Sequence, residues 1–152
     1  MGGTRKAVGP GDITENQLNS SDEPLTAEQI TVLSALPPDK PVVMLNLLRF
    51  REQAAYSDQQ EACSGREAYK RYSQTSLQTI AAVGGSVIFS GKASASLIAP
   101  PGETWHQVFL VRYPSVAAFR AMLSMPQYQA AVRHRTAALE DSRLTPITPY
   151  QA

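Results

Sequence analysis

The chain has 152 residues, a formal net charge of +1, and contents of 43% hydrophobic and 18% charged residues, values typical of one globular domain. A nearly neutral chain lacks the concentrated positive charge that binds nucleic acid or an anionic membrane, so we expect neither partner. No apolar run approaches the roughly 20 residues that are needed to span a bilayer.

Residues 1–24 are rich in Gly, Asn and Ser and lack hydrophobic periodicity, which predicts a disordered N-terminal extension without a secretory signal. Residues 25–152 are then expected to form a single domain. Thr26 and Gln29 have the spacing of a capping box, and they predict an extra N-terminal helix that ends before a Pro-Pro pair.

The segment PVVMLNLLRF, residues 41–50, is the longest apolar run and predicts the central strand of the core. A second strand of the same kind is predicted at residues 105–113. Alternate side chains of a strand point to opposite faces, and both faces of these two strands are mostly apolar. Both faces of the sheet therefore have to be covered.

The segment between these strands contains a helix and an edge strand. Ser64 is the expected N-cap of a helix over residues 65–83, and Tyr69 and Tyr72 lie on its apolar stripe. Residues 86–98 alternate between apolar and polar side chains, which predicts an edge strand with one wet face.

After the second strand, Ser115 is the expected N-cap of a helix, and Pro126 begins a helical segment to about residue 141. A short strand over residues 143–147 completes the fold. The element order β-α-β-β-α-β predicts an α+β protein of ferredoxin-like type with an antiparallel sheet. Because these helices can cover only one side of the sheet, we expect a homodimer that closes sheet on sheet.

Several blocks together resemble a known family: PVVMLNLLRFR, SGREAYKRY, a GG pair followed by a strand, WHQVFLVRYPSVAAF, MPQY and HRTAALEDSRL. The chain resembles a bacterial family of unknown function in the dimeric α+β-barrel superfamily, which also includes antibiotic-biosynthesis monooxygenases and haem-handling proteins. The resemblance covers about residues 41–144 and implies a ferredoxin-like fold and a dimeric α+β barrel. The family usually has Asp after Trp105, where this chain has His106. The resemblance implies no particular reaction.

Three polar residues stand out on the predicted strands. Asn46 lies among apolar neighbours, where an amide needs hydrogen-bond partners, and it is either a satisfied core amide or a ligand-binding group. Arg49 and Arg112 end two strands that we expect to be neighbours. The two arginines either clamp a carboxylate or enolate, or pair with acids at the rim of the dimer.

Arg135 falls within the inward stripe of the last helix, and a buried guanidinium requires an anionic or carbonyl partner. Glu140, Asp141, the chain end or a substrate anion can supply that partner. Tyr72, with Trp105 expected opposite, can bracket a planar ligand, although such a stripe more often belongs to the core.

His106 and His134 are the histidines of the chain and therefore its default groups for proton transfer near neutral pH. His106 is the better candidate because it is expected to share a strand face with apolar residues. The spacing of histidines and of the lone Cys63 fits no metal site, and we expect no metal and no tightly held cofactor. A single cysteine also excludes an internal disulfide and favours a cytoplasmic location.

Two hypotheses for function remain open. In the first, a homodimer binds a small organic molecule in a pocket between sheet and helices, with or without cofactor-independent chemistry of monooxygenase or isomerase type. His106 would be the base and Arg112 would stabilise negative charge in such a reaction. The substrate would contact the following residues: Asn46, Arg49, Tyr72, Trp105 and Arg135. The alternative is a non-catalytic dimeric binding or stress-response module.

Overall fold

The structure is a computed structural model that describes residues 25–150. The predicted disordered extension, residues 1–24, lies outside the described residues. The chain divides after Pro37 into two units. In the first unit, helix α1 (Ala27–Ser34) begins with the predicted capping box: Gln29 donates its N–H to the Thr26 hydroxyl, and the Gln29 side chain accepts the Thr26 N–H.

The second unit contains a four-stranded antiparallel sheet in the order β2-β3-β1-β4. Its elements in chain order are β1 (Val42–Phe50), α2 (Gly65–Ala82), β2 (Ser86–Lys92), β3 (Gln107–Tyr113), α3 (Val116–Leu123), α4 (Pro126–Ala138) and β4 (Leu139–Ile147). A short 3-10 helix, Gln59–Glu61, lies between β1 and α2. The unit therefore has the predicted ferredoxin-like order, with α3 and α4 together in the place of the second helix.

Two predicted boundaries are wrong. The sequence predicts an edge strand to residue 98, but β2 ends at Lys92, because β3 begins only at Gln107, the partner of Lys92. The sequence also predicts a last helix to residue 141, but α4 ends at Ala138 and β4 follows directly. Backbone pairing of β4 with β1 outweighs the helix propensity of these residues.

The sheet has two different faces, which β1 defines. The helix face carries Val42, Met44, Asn46, Leu48 and Phe50, all buried. The open face carries Val43, Leu45, Leu47 and Arg49, all half-buried. On the helix face, Tyr69 of α2 lies 5.6 Å from Phe50, and Phe119 of α3 lies 5.1 Å from Tyr113 (ring centroids). The helices of this unit thus cover one face of a strand that is apolar on both faces.

No helix among residues 25–150 combines the length and apolar character needed to cross a membrane.

Gly65 lies where the end of β1, the start of α2 and the end of α4 meet. The Gly65 N–H donates to the Arg51 carbonyl at 3.1 Å, and the Arg51 N–H donates to the Ala138 carbonyl at 2.9 Å. A β-carbon on Gly65 would lie 2.7 Å from the Ala138 carbonyl oxygen and closer still to the Arg51 oxygen. Because both obstacles are backbone atoms, only glycine fits without a shift of the chain.

We predict that Gly65→Ala destabilises the protein by about 3 kcal/mol, because the added methyl group forces these segments apart. The measurement is the free energy of unfolding in urea. The matched control is Gly91→Ala in edge strand β2, where a β-carbon meets the Phe89 ring at an ordinary 3.4 Å. The control should stay within about 0.5 kcal/mol of the wild type. Equal effects of the two substitutions would show that the contact at Gly65 does not constrain the fold.

Candidate functional site

Helices α2 and α4 run antiparallel over the helix face and bring three tyrosines and one arginine together. We call Tyr69, Tyr72, Tyr128 and Arg135 the tyrosine–arginine cluster. The Tyr72 and Tyr128 hydroxyl oxygens lie 2.8 Å apart, and their ring centroids are separated by 6.0 Å. The Tyr69 ring lies 5.2 Å from that of Tyr72. The tyrosines are almost fully buried, with exposed fractions of 7–8%.

Burial determines the protonation state of the tyrosines. It raises the pKa of Tyr69 to about 12, although the charge of Arg135 acts in the opposite direction. Burial likewise holds the pKa of Tyr72 well above its usual value, and the neighbouring Tyr128 adds to the effect. Both groups are therefore neutral hydroxyls at physiological pH and can donate hydrogen bonds to a bound molecule.

Asn46 occupies the middle of β1 on the helix face and is only 7% exposed. Its Nδ2 donates a long hydrogen bond of 3.3 Å to the carbonyl of Met44 on the same strand. Its Oδ1 accepts no hydrogen bond from any of residues 25–150. A buried amide side chain usually has hydrogen-bond partners on neighbouring elements.

The course of α2 relates Asn46 to the tyrosine–arginine cluster. The helix begins near the Phe50 end of β1, because Tyr69 packs against Phe50. The turn that follows the helix contacts Tyr113. Tyr113 pairs with Val42, at the opposite end of β1. Tyr72 therefore lies between the two ends, level with the middle of the strand. Asn46 and the cluster therefore lie on the same side of the sheet.

The predicted clamp of Arg49 and Arg112 is wrong. The strands are neighbours, but they are antiparallel, and Arg112 pairs with Val43, six residues from Arg49. The two guanidinium groups therefore start about 20 Å apart along the strand. Arg49 instead lies on the open face, with its Nε 3.6 Å from a carboxylate oxygen of Glu140, and this Nε has no hydrogen-bond partner within the described residues. Arg112 is exposed.

Trp105 is buried but does not lie opposite Tyr72. Its Nε1 donates to the Glu103 carboxylate at 3.1 Å, and the Arg143 guanidinium lies 5.0 Å from the ring centroid. Arg143 pairs with Leu47 and therefore belongs to the open face of the sheet. The predicted bracket of Trp105 and Tyr72 around a planar ligand is not formed, because the sheet separates the two side chains.

His106 precedes β3 and fastens the end of β1. Its Nδ1 accepts the Phe50 N–H at 3.0 Å, and its ring stacks on that of Phe50 with centroids 5.8 Å apart and an interplanar angle of 8°. An imidazole nitrogen that accepts a backbone N–H is unprotonated, so the neutral ring carries its proton on Nε2. The Nδ1 lone pair is thus used to hold the strand.

His134 belongs to a second cluster, at the edge of α4, which we call the loop clasp: Tyr56, Glu61, Arg71, Arg133 and His134. The Tyr56 hydroxyl lies 2.6 Å from Nδ1 of His134, and Arg133 forms a bidentate ion pair with Glu61 at 3.1 and 2.7 Å. Arg71 donates to the Glu61 carbonyl at 3.1 Å. These contacts attach the loop of residues 51–64 to α2 and α4.

Sequence reasoning singled out Asn46, Tyr72 and Arg135, and the structure brings these three to one side of the sheet. It missed the hydroxyl of Tyr128 as a polar group of the site. The signal was present, because Tyr128 precedes Arg135 by about two helical turns on one stripe of α4. No group of three or more His, Cys, Asp or Glu side chains within the described part of the chain is arranged to hold a metal ion.

The fold and its element order place the chain among ferredoxin-like α+β proteins. The family model of the domain of unknown function DUF1330 matches residues 54–145, and the chain belongs to this family. Two crystal structures of RPA0582, a protein of unknown function from Rhodopseudomonas palustris, are similar to it, with TM-scores of 0.77 and 0.76. Their sequences are 42% and 41% identical to this chain, and the matches cover 84% of it and 93% and 96% of RPA0582.

More distant structures are also similar to the chain. SnoaB, described as a cofactor-independent oxygenase from Streptomyces nogalater, is 15% identical over 74% of this chain and 96% of its own, with a TM-score of 0.47. A protein from Bacteroides fragilis, described as dimeric and ferredoxin-like, is 13% identical over 73% of this chain and 98% of its own, with a TM-score of 0.45. No curated protein gives a significant match.

We predict a pH-dependent contribution of His134 to stability. Burial, followed by the charge of Arg133, lowers the pKa of His134 below its usual 6.5, so folding favours the neutral ring, whose Nδ1 is hydrogen-bonded with the Tyr56 hydroxyl. This contribution is present above about pH 6.5 and is lost as the pH falls through the folded-state pKa. The free energy of unfolding should therefore decrease between about pH 7 and pH 5.

His134→Asn keeps an acceptor near Nδ1 but cannot be protonated, so this variant should lose less stability over the same interval. The interval lies above the range in which Glu61 titrates, since the ion pair with Arg133 lowers the pKa of that carboxyl. An identical decrease in the variant and the wild type would exclude His134 as the titrating group.

Proposed function

We propose that this protein binds a small organic molecule between the helix face and the α2–α4 pair, and that it does so as a homodimer formed through the open face. One observation carries the binding proposal. The Asn46 side chain is buried in the middle of the sheet, and its Oδ1 accepts no hydrogen bond within residues 25–150. A ligand with an N–H or O–H group would satisfy it.

The energetics favour this interpretation over a purely structural amide. Leaving a buried acceptor without a hydrogen bond costs about 1–3 kcal/mol. A structural amide would recover that cost through partners on neighbouring elements, whereas Asn46 bonds only to its own strand, and at 3.3 Å. Groups that are kept unsatisfied in the free protein are typical of binding sites, because the ligand supplies the partner.

The protonation states favour binding over acid–base catalysis. Tyr69 and Tyr72 are neutral donors, since burial raises their pKa values. The Nδ1 atoms of His106 and His134 already lie against the Phe50 N–H and the Tyr56 hydroxyl. The site therefore offers hydrogen-bond donors from the tyrosines and the positive charge of Arg135. Neither histidine has a free Nδ1 that could act as a base. A cofactor-independent enzyme with His106 as base stays a prediction from the sequence, and it would require release of the Phe50 N–H.

The open face supports the dimer. Large apolar side chains of all four strands share this face: Val43, Leu45, Leu47, Phe89, Val108, Leu110 and Ile147. Phe89 is 57% exposed and Ile147 is 40% exposed in the single chain. Contiguous exposed apolar surface of this kind marks an interaction site, and a second copy presents the same surface across a two-fold axis.

We predict that the protein sediments as a dimer at micromolar concentration, at twice the chain mass of 16.5 kDa. Leu110→Glu places a charge in the centre of the open face and should shift the protein to a monomer, because a desolvated carboxylate opposes association. Gln78→Glu, an exposed position on α2, adds the same charge as a matched control and should leave the dimer intact. A wild-type monomer would remove the dimer from the proposal.

We predict that Asn46→Leu raises the free energy of unfolding of the ligand-free protein by about 1 kcal/mol, because it replaces a core amide that has a single long hydrogen bond by an apolar side chain. The matched control is Thr79→Val, at a buried hydroxyl that already donates to the Ser76 carbonyl at 3.0 Å. That variant should instead lose about 1 kcal/mol.

Compounds from a metabolite panel that raise the melting temperature of the wild type should stabilise Asn46→Leu less. A loss of about 1–3 kcal/mol in Asn46→Leu would identify Asn46 as a satisfied core amide and remove the main support for the binding site.

A further inference from the structure

Arg135 is the positively charged member of the tyrosine–arginine cluster. It lies on the same stripe of α4 as Tyr128, about two helical turns further on. The residue is half-buried, and its charge lowers the pKa values of Tyr69 and Tyr72 against the effect of burial. The guanidinium group is thus near the tyrosine hydroxyls between the two helices.

The carboxylates that could neutralise Arg135 are paired with other residues. Glu140 lies 3.6 Å from Arg49, and Asp141 lies 2.8 Å from Arg143. No carboxylate within residues 25–150 lies at ion-pair distance from Arg135. The predicted ion pair of Arg135 with Glu140 or Asp141 is therefore not formed, and the chain end, the third predicted partner, lies outside the described residues.

The surroundings of Arg135 compensate its charge only in part. It is in the last turn of α4, where the helix dipole contributes a partial negative charge of about one half. The neighbouring hydroxyls of Tyr69 and Tyr72 are neutral, because burial raises their pKa values. A half-buried cation without a counter-ion is costly, and an anionic ligand would remove that cost.

The hydroxyl pair of Tyr72 and Tyr128 adds a donor to this positive site. The two groups carry two protons, but one hydrogen bond between them, at 2.8 Å, uses only one. The second proton remains for another acceptor. No acceptor for it is found elsewhere within the described part of the chain.

We propose that the ligand is a small organic anion, a carboxylate or an enolate, whose negative oxygens bind Arg135 and the free proton of the Tyr72–Tyr128 pair. This inference rests on the proposed binding function and specifies its ligand class. A guanidinium group with adjacent O–H donors binds such oxygens through charge-assisted hydrogen bonds. The tyrosine rings form the walls of the site, so the ligand has a planar apolar body.

The test uses a panel of small aromatic and unsaturated acids, led by benzoate, each paired with its neutral amide, such as benzamide. Dissociation constants are measured by calorimetry or ligand-observed NMR. We expect the wild type to bind at least one acid about tenfold more tightly than its amide. Arg135→Gln should reduce this preference to within about twofold, and Arg135→Lys should retain part of it.

Arg133→Gln is the matched control, because it removes the same charge from the same helix at a residue that pairs with Glu61. It should leave the preference for acids unchanged. Binding of the neutral amide by Arg135→Gln reports that the variant is folded.

Benzenesulfonate gives an independent measurement, because it stays charged throughout the relevant pH range. Its affinity should be constant from about pH 6 to pH 9, since arginine does not titrate there. A decrease in affinity through about pH 6–7 would assign the positive charge to a histidine and overturn the role of Arg135.

The remaining outcomes separate this inference from the proposed function. Equal binding of acids and amides by the wild type, or an unchanged preference in Arg135→Gln, overturns the anion class and leaves small-molecule binding intact. Absence of binding by every acid and every amide overturns the proposed function itself.

Discussion

A single strand that is apolar on both faces determines the organisation of this protein. Burying apolar surface stabilises a fold at about 25 cal/mol per Å², so neither face of β1 can stay in water without cost. Helices α2, α3 and α4 cover the side that carries Met44 and Leu48. The other side carries Leu45 and Leu47, and the proposed second copy would cover it.

The same layer arrangement gives the candidate site its chemistry. Burial between sheet and helices raises the pKa values of Tyr69 and Tyr72, so these residues stay neutral donors. Arg133 and Arg135 are two positions apart on α4, which separates them by about 200° around the helix axis. Their side chains therefore leave the helix in different directions. Arg133 pairs with Glu61 at the surface, whereas the charge of Arg135 acts on the hydroxyls of Tyr69 and Tyr72. One helix thus fastens a loop and places a positive charge near the tyrosines.

The sequence predicts much of the fold but only part of the site. The alternation along β1 correctly gives the two faces of the sheet, and the stripe of α2 correctly places Tyr72 in the interior. The clamp of Arg49 and Arg112 fails, because neighbouring antiparallel strands bring together opposite ends, not like ends. The bracket with Trp105 fails because that side chain packs with residues of the open face.

By itself, the sequence determined what depends on near neighbours: the caps at Thr26, Ser64 and Ser115, the order of the elements, and the side of each element that is apolar. These features arise from hydrogen bonds and periodicities within a few residues. Only the tertiary structure decided which partners the polar groups find. Glu140 belongs to β4 and pairs with Arg49, so Arg135 lacks a carboxylate within the described residues. Such pairings join residues that are distant in the chain, and strand register and helix packing fix them after the chain has folded.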